Sequence, residues 1–316
     1  MPEILDTLVI GPAPTGRPVP LNPGSPGAPV LIQPQPNDAA NAPTAQTPQA
    51  QPARLAPGVV PSAIADPDAP PFALNHARIL YASALAGAAV TATAGTGAAN
   101  VLNAATYNRW SFTGTQTITL VLPAGQLIDA VGLGAHSFAS SSALVQYSVG
   151  DSAPWEDFAP AQSGAAAMLF LRDTGALVKR LRVTVTATGA QVLGVIYAGI
   201  ALQMQRPIYK GHSPATMSRV TEYQSNESEG GQWLGRNVIR QGLKVDLSWS
   251  RLSASWVRQY FDPFAIAARV APFFVAWNPQ DYPREVAYAW TTADTKPDNT
   301  GPRDLMAVSL QAKGAA

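Results

Sequence analysis

The chain has 316 residues, of which 47% are hydrophobic and only 13% are charged, and its formal net charge is +1. This length ordinarily makes two domains, and the composition belongs to a globular chain rather than a disordered one. A net charge so close to zero creates no field that would gather phosphates, which argues against nucleic acid as a partner. The sequence contains no cysteine, so disulfides and thiolate metal sites are excluded and we expect synthesis in a reducing cytosol.

Neither an export signal nor a membrane span is expected. The stretch Met1–Asp6 is acidic and lacks the basic region and apolar stretch of a secretory signal. The longest apolar run, Val192–Met204, is shorter than the roughly 20 residues that cross a bilayer. We therefore predict a protein that is not exported by a cleaved signal and not inserted into a membrane.

Residues 1–73 are predicted to form an extended arm. Eighteen of the 29 prolines fall within residues 1–71, and proline lacks the amide donor that sheets and helices require. Such a segment buries too little to order itself, so a fixed path would require other subunits. Two apolar stretches, Leu5–Ile10 and Val30–Ile32, are suited to adding a strand to a neighbour's sheet edge. The alternative is a flexible linker.

Residues 74–205 are predicted to form a β-sandwich. The sequence alternates apolar and polar residues in short runs that are separated by turn residues, and Pro123–Gly125 is one such turn. Strands of this length and spacing are typical of two packed antiparallel sheets, with Trp110 expected in the core. The predicted strands are Ala77–Ala82, Leu85–Thr93, Thr113–Leu122, Ile128–Ala135, Leu144–Val149, Met168–Leu171, Leu181–Thr186 and Val192–Met204.

Five features of this segment come in an order that resembles the discoidin, or galactose-binding-like, β-sandwich family. They are Asn100–Leu102 leading to Trp110, the strand around Ile118, Tyr147–Ser148 followed by Trp155, the strand Lys179–Val183, and a last strand Gly199–Leu202. The resemblance covers about residues 79–204. It implies a jelly-roll β-sandwich, a binding or assembly role rather than an enzymatic one, and a ligand site in the loops at one end.

That family layout makes His136, Asp151 and Trp155 the candidate carbohydrate-binding residues. An aromatic face beside polar groups can stack on a sugar ring. Other interpretations of the acidic residues around Trp155 remain open: a solvated loop with one anchoring tryptophan, a calcium site, or a carboxylate pair for glycoside hydrolysis. The acidic residues concerned are Asp151, Glu156 and Asp157.

No catalytic or metal-binding motif is evident elsewhere. The three histidines, His76, His136 and His212, are far apart and have no second ligand type at metal spacing. Gly95–Asn100 lacks the third glycine of a dinucleotide-binding loop and is expected to precede no helix. Gly211–Ser213 lacks the setting of a nucleophile elbow. We therefore predict that the protein is not an enzyme and uses no cofactor and no metal.

Residues 206–316 are predicted to form a second, smaller β module with one helix. Ser253 is a candidate N-cap for a helix starting at Ala254, and Pro263 is expected to end or kink it. Trp256, Val257, Tyr260 and Phe261 would share one face of that helix. The predicted strands are Thr216–Ser225, Val238–Ser250, Pro272–Trp277, Val286–Trp290 and Leu305–Leu310, with a polar loop at Asn226–Gly231.

This order of a strand pair, a helix and three strands is similar to the β-barrel-plus-helix module of long-tailed bacteriophage tail-tube and distal-tail proteins. The stretch Phe273–Pro283 also looks like phage minor-tail sequences. The resemblance implies a virion structural protein of a tail tip or baseplate, made in the host cytoplasm and assembled as a homo-oligomeric ring. Its partners would be other tail proteins, with host-surface carbohydrate as a further one. The alternative is a carbohydrate-binding module of a bacterial surface adhesin.

Overall fold

The computed structural model describes residues 71–208, 211–301 and 304–315. The predicted arm, including Leu5–Ile10 and Val30–Ile32, therefore lies outside the described residues except for residues 71–73. Within the described ranges, no helix is both long enough and apolar enough to cross a membrane.

The described chain is mainly β, which confirms the predicted fold class. Sixteen strands are interrupted by a 3₁₀ helix at Ala98–Leu102 and one longer helical segment. That segment consists of α1 (Ala254–Trp256), a π-helical turn (Val257–Phe261) and α2 (Asp262–Ala267). The strands are β1 (Arg78–Leu80), β2 (Ala89–Ala92), β3 (Trp110–Thr113), β4 (Gln116–His136), β5 (Ser142–Ser148), β6 (Glu156–Asp157), β7 (Gln162–Ser163), β8 (Met168–Thr186), β9 (Ala190–Gly199), β10 (Leu202–Gln203), β11 (Arg219–Glu227), β12 (Trp233–Ser253), β13 (Phe273–Ala276), β14 (Val286–Thr291), β15 (Asp298–Asn299) and β16 (Leu305–Gly314).

The strands form two antiparallel sheets. Sheet A has the order β10-β1-β13-β14-β16-β12-β11, with β15 paired to β16. Sheet B has the order β3-β9-β4-β8-β5-β6, with β2 paired to β4 and β7 to β5. Sheet B corresponds to the predicted sandwich, and most of sheet A comes from the predicted C-terminal module.

Sheet B makes a sandwich by bending over itself at its two longest strands. The first part of β4 pairs with β2 and with the second half of β8, whereas its last part pairs with β9 and the first half of β8. The two layers enclose one apolar core, in which Ile118 and Leu133 of β4 are fully buried. The predicted strands on either side of Pro123–Gly125 are therefore one strand, as are those at Met168–Leu171 and Leu181–Thr186.

The bend in β4 explains why the predicted turn at Pro123–Gly125 is wrong. The pairing of β4 with β8 skips from Val121 to Gln126, so Pro123 lies where no ladder hydrogen bond is required of it. The Lys179 ammonium donates to the carbonyl oxygens of Leu122 (2.8 Å) and Pro123 (3.0 Å). These bonds satisfy carbonyl groups at the bend, and the strand continues beyond it.

Trp110 lies in the sandwich core as predicted. Its side chain is fully buried, and its ring stacks on Phe112 with 4.0 Å between the ring centroids. The indole Nε1 donates to the carbonyl oxygen of Ala94 at 3.0 Å. This bond fixes the segment before β3 against the core.

The glycines at 95 and 97 serve a close approach between two backbone segments. A Cβ at Gly95, where φ is +98°, would lie 2.4 Å from the carbonyl oxygen of Ser111. The neighbouring Thr96 pairs with Ser111 as an isolated bridge. The sequence predicted that no helix follows Gly95–Asn100. That prediction is wrong, because a short 3₁₀ helix of five residues begins at Ala98.

The sandwich is inserted between two neighbouring strands of sheet A. Strand β1, which precedes the sandwich, pairs with β10, which follows it, through Arg78↔Gln203 and Ile79↔Leu202. On its other side β1 pairs with β13 of the C-terminal segment. The domain boundary at residues 205/206 stays a prediction. Strands β1 and β10, which precede that boundary, nevertheless pair within sheet A. The sandwich inserted between them comprises residues 81–201.

The outer face of sheet B packs on sheet A through aromatic rings seated against glycine backbone. Phe274 and Tyr288 of sheet A are buried, with ring centroids 4.8 Å apart. A Cβ at Gly132 would lie 2.7 Å from the Phe274 ring, and one at Gly134 would lie 3.1 Å from it. Both glycines are in β4, so the absence of side chains there creates the space that the rings fill.

The opposite face of sheet A is covered by the helical segment. The Ser253 hydroxyl accepts a hydrogen bond from the Trp256 amide at 3.2 Å, which confirms the predicted N-cap. Trp256, Val257 and Phe261 are buried against this face and Tyr260 is partly buried, as their spacing predicts.

Pro263 does not end the helical segment, which continues to Ala267. The amide of Asp262 donates to the carbonyl oxygen of Val257, five residues earlier. This wider π-helical turn comes directly before the proline, at the place where the missing amide donor would interrupt α-helical bonding.

We expect Gly132→Ala to lower the free energy of unfolding by about 1–3 kcal/mol, since the added methyl group overpacks the buried Phe274 ring. Urea unfolding measures this change. Gly189→Ala is the matched control: it has no atom within 4 Å of its added Cβ and should change stability by less than about 0.5 kcal/mol. The cost of Gly132→Ala should shrink in a Phe274→Leu background, and an equal cost in both backgrounds would contradict the packing described here.

Candidate functional site

Trp155 is held against the sheet B surface by two arginines. The guanidinium carbons of Arg180 and Arg182 lie 4.8 Å and 4.4 Å from the Trp155 ring centroid. Arg180 also donates to the carbonyl oxygens of Gly150 (2.9 Å) and Ala153 (2.8 Å). Arg180 therefore fixes the loop after β5 and the half-buried tryptophan that follows it.

The polar groups around Trp155 form a continuous hydrogen-bonded row. Arg182 donates to Gln146 Oε1 at 2.7 Å, and Gln146 Nε2 donates to Asp157 Oδ1 at 2.7 Å. On the other side of the two-residue strand β6, the Tyr147 hydroxyl donates to Glu156 Oε2 at 2.6 Å. Glu156 and Asp157 are thus bound to different neighbours, and Asp151 is exposed in the loop. This arrangement agrees with an anchoring tryptophan beside a polar surface.

The structure places His136 away from Asp151 and Trp155. His136 ends β4 just before the loop that enters β5 at Ser142, whereas the other two residues follow the end of β5 at Ser148. The seven residues of β5 span about 20 Å. The three candidates therefore do not form one site: Asp151 and Trp155 share a loop, and His136 belongs to the opposite end of the sandwich.

The contacts of His136 are with neighbouring residues of the sandwich core. Its imidazole stacks on the buried Phe138 ring with 4.4 Å between centroids, and its Nδ1 accepts from the Phe138 amide at 3.3 Å. Burial lowers the pKa of His136 to about 4, so the ring is neutral at physiological pH. Its Nε2 is buried and has no hydrogen-bond partner among the described residues.

A partly buried acid, Asp129, and a buried base, Arg78, interact where the two sheets meet. Asp129 accepts from the Ala201 amide at 2.7 Å, and burial raises the pKa of its carboxyl group to about 6. Burial also lowers the pKa of Arg78 to about 10, although the charge of Asp129 opposes that change. Desolvation dominates at both groups, so the carboxylate form of Asp129 is costly in the folded state.

The described part of the chain brings no set of metal ligands together. No group of three or more His, Cys, Asp or Glu side chains is placed to hold a metal ion there. His212 instead packs edge-on against Trp277, with ring centroids 4.5 Å apart.

Several large apolar side chains are exposed on the hairpin of β11 and β12, which sequence reasoning did not single out. Strand β11 is an edge of sheet A, and eight of its nine residues are exposed. Val220 and Tyr223, three residues apart along β11, point to opposite faces. The large exposed apolar side chains of the hairpin are Val220, Tyr223, Trp233, Leu234, Val238 and Ile239.

The hairpin lacks the packing that a monomer would use to cover such residues. Trp233 is 69% exposed and Leu234 is 65% exposed, and two strands alone are marginally stable in water. Its internal contacts are polar, such as Arg236 over the Tyr223 ring at 4.4 Å. Large apolar side chains exposed in such number on one hairpin are typical of an interaction site. The sequence signal was the Trp233–Leu234 pair directly after the predicted polar loop.

Sequence comparisons give no match: no protein-family model matches the chain, and no curated protein is similar to it in sequence.

Parts of solved structures resemble about a third of the chain. A fucosidase of Ruminococcus gnavus matches with 17% identity and a TM-score of 0.34, covering 37% of this chain and 26% of the enzyme. A Clostridium perfringens module in complex with GalNAc-β-1,3-galactose matches with 13% identity and a TM-score of 0.32, covering 37% of this chain and 98% of the module. A chitosan-binding module of Paenibacillus sp. IK-5 matches with 17% identity and a TM-score of 0.33, covering 37% and 98%. At these TM-scores the likenesses carry no functional argument, and the fold rests on the strand pairing itself.

The partly buried Asp129 predicts a pH-dependent effect of Asp129→Asn. The folded carboxyl group, with a pKa of about 6 against an ordinary 3.8, binds its proton more tightly than the unfolded one. Ionisation between about pH 4 and pH 6 therefore destabilises the folded chain, by up to about 3 kcal/mol. The stability of the variant relative to the unsubstituted chain should rise across this window and be constant below it. Urea unfolding at stepped pH measures the difference, and a flat difference from pH 4 to pH 7 would refute the assignment.

Proposed function

We propose that the protein is a structural subunit of a bacteriophage or phage-like particle, located at the tail tip or baseplate. In this role the chain assembles with further copies of itself into a ring and contacts other tail proteins. The observation that carries the proposal is the β11–β12 hairpin, which exposes six large apolar side chains at a sheet edge. A protein that works alone would gain nothing from such a surface, whereas an assembly subunit buries it in its neighbour.

The location in a tail rests on the order of elements in the C-terminal half. A strand pair, a helix and further strands of one antiparallel sheet follow one another from residue 219 to 314, in the order typical of tail-tube and distal-tail modules. The proline-rich residues 1–71 add a sequence argument, because a segment without a core of its own needs neighbouring subunits to hold a fixed path. The role requires no catalytic residues and no cofactor, in line with the prediction that the chain is not an enzyme.

A second candidate function is carbohydrate binding by the sandwich, as a contact to host-surface glycans or as part of a bacterial adhesin. The observation that favours it is the half-buried Trp155, whose ring lies against Arg182. Arg182 in turn donates to Gln146, which donates to Asp157. An aromatic ring beside fixed hydrogen-bonding groups fits the stacked face and hydroxyl groups of a sugar. His136 has no part in this site.

Deleting the coding sequence from the producing particle tests the structural role. We expect particles without normal tail tips and a loss of infectivity of several orders of magnitude, because later tail proteins would have no ring to join. Electron microscopy and plaque counts measure both effects, and the unsubstituted protein supplied in trans should restore them. Particles of unchanged form and infectivity would remove the proposal.

Carbohydrate binding is tested separately by titrating the full chain against a glycan array. Trp155→Ala should reduce any binding by at least tenfold, since the stacking face is lost. Tyr107→Ala, which removes an aromatic side chain that is 79% exposed elsewhere on the sandwich, is the matched control and should leave binding unchanged. An array without signal, or binding that survives Trp155→Ala, excludes this site.

A further inference from the structure

A groove lies on sheet A at the base of the hairpin. It has a volume of about 570 Å³ and is lined by Val220, Lys244, Asp246, Trp290, Gln311 and Lys313, among others; we call it the Trp290 groove. Trp290, Lys313 and Lys244 pair across three neighbouring strands, β14, β16 and β12, and so form one row on the same face. Trp290 is 42% exposed, which provides an aromatic wall to the groove.

The Trp290 groove carries an excess of positive charge and an unused acceptor. Lys244 pairs with Asp246 at 2.6 Å, and Glu222 pairs with Arg240 at 2.5 Å. Lys313 forms no salt bridge within the described residues. Asp246 Oδ1 is buried without a donor in the same part of the chain, and such an oxygen is costly unless an occupant of the groove donates to it.

The tip of the hairpin has the complementary chemistry. The loop from Glu227 to Trp233 contains two exposed acids, Glu227 and Glu229, and no basic residue. Trp233 and Leu234 follow directly and are the most exposed apolar pair of the hairpin. The tip thus combines negative charge, apolar area and an indole donor, and the groove offers positive charge, an aromatic wall and an unpartnered acceptor.

The tip cannot reach the groove of its own chain. Val220 lines the groove, and Glu227 ends the same strand seven residues further on, about 24 Å away for an extended strand. The strand is paired with β12 throughout, so it cannot fold back on itself. Only another copy can bring a tip to the groove.

We propose that the hairpin tip of one copy docks in the Trp290 groove of the next. This inference rests on the proposed structural role and deepens it, because it names the contact that joins the copies. The two surfaces differ, so each copy uses its tip toward one neighbour and its groove toward the other. Contacts of this head-to-tail kind close into rings when the rotation between copies allows.

Sedimentation velocity of the full chain, from micromolar to near-millimolar concentration, tests the contact. The unsubstituted protein should form a defined oligomer. Trp233→Ser combined with Leu234→Ser should weaken association by at least about thirtyfold, as expected for the loss of an aromatic anchor. Val270→Ser is the matched control, since Val270 is 89% exposed just after α2 and belongs to neither surface. All three substituted positions are exposed, and the thermal unfolding of each variant confirms that it folds.

A charge exchange tests which surface the tip meets. Glu227→Lys with Glu229→Lys should weaken association, and so should Lys313→Glu. The chain carrying all three changes should associate more strongly than either parent, because opposite charges again face each other.

Mixing two defective variants tests the head-to-tail geometry. The chain with Trp233→Ser and Leu234→Ser keeps its groove, and a chain with Lys313→Glu keeps its tip, so one intact contact remains between them. The mixture should form a dimer of one chain of each kind and nothing larger.

The outcomes separate this contact from the structural role. An unsubstituted oligomer that persists in the tip variant, or a mixture without dimers, overturns the docking and leaves the structural role to the deletion experiment. An unsubstituted chain that stays monomeric at every concentration also overturns the docking. Loss of association in the tip variant, with dimers in the mixture, supports it.

Discussion

The structure depends on the contact between two aromatic rings and two glycines of β4. Phe274 and Tyr288 of sheet A occupy space that Gly132 and Gly134 leave open on β4. Close packing of this kind leaves no room for even one added methyl group. Because β4 also supplies the centre of the sandwich core, this contact joins the folded sheet B to sheet A. The helical segment covers the other face of sheet A.

The packing of the two sheets leaves both of the proposed binding surfaces at the periphery. Trp155 lies against Arg180 and Arg182 of β8 and directly precedes β6, an edge strand of sheet B, whereas β11 forms one edge of sheet A. A surface for glycans and a surface for neighbouring copies would therefore not compete. The partly buried Asp129 accepts a hydrogen bond from a backbone amide where the sheets meet. Its ionised form imposes an electrostatic cost at neutral pH that the surrounding apolar contacts must outweigh.

The sequence predicted what local signals encode. Alternation in β12, the Ser253 cap and the apolar face around Trp256 all act within a few residues, and the structure has each of them. Long-range pairing was not predictable in this way: β1 joins β13, nearly 200 residues later. The bend at Pro123 depends on Lys179 from another strand. The separation of His136 from Trp155 likewise follows from the order of strands. The exposed hairpin was not predictable either, because its residues alternate in the same way as those of a strand that is covered.

The excursion of the sandwich from between β1 and β10 makes it an exchangeable cassette. Its two ends leave sheet A from paired residues, Ile79 and Leu202, whose Cα atoms in an antiparallel ladder are about 5 Å apart. Any domain whose own termini lie side by side could be grafted there while β1 and β10 stay paired, provided that it presents a small-residue strand to Phe274. The sandwich could thus be exchanged for another domain in the course of evolution while sheet A is conserved.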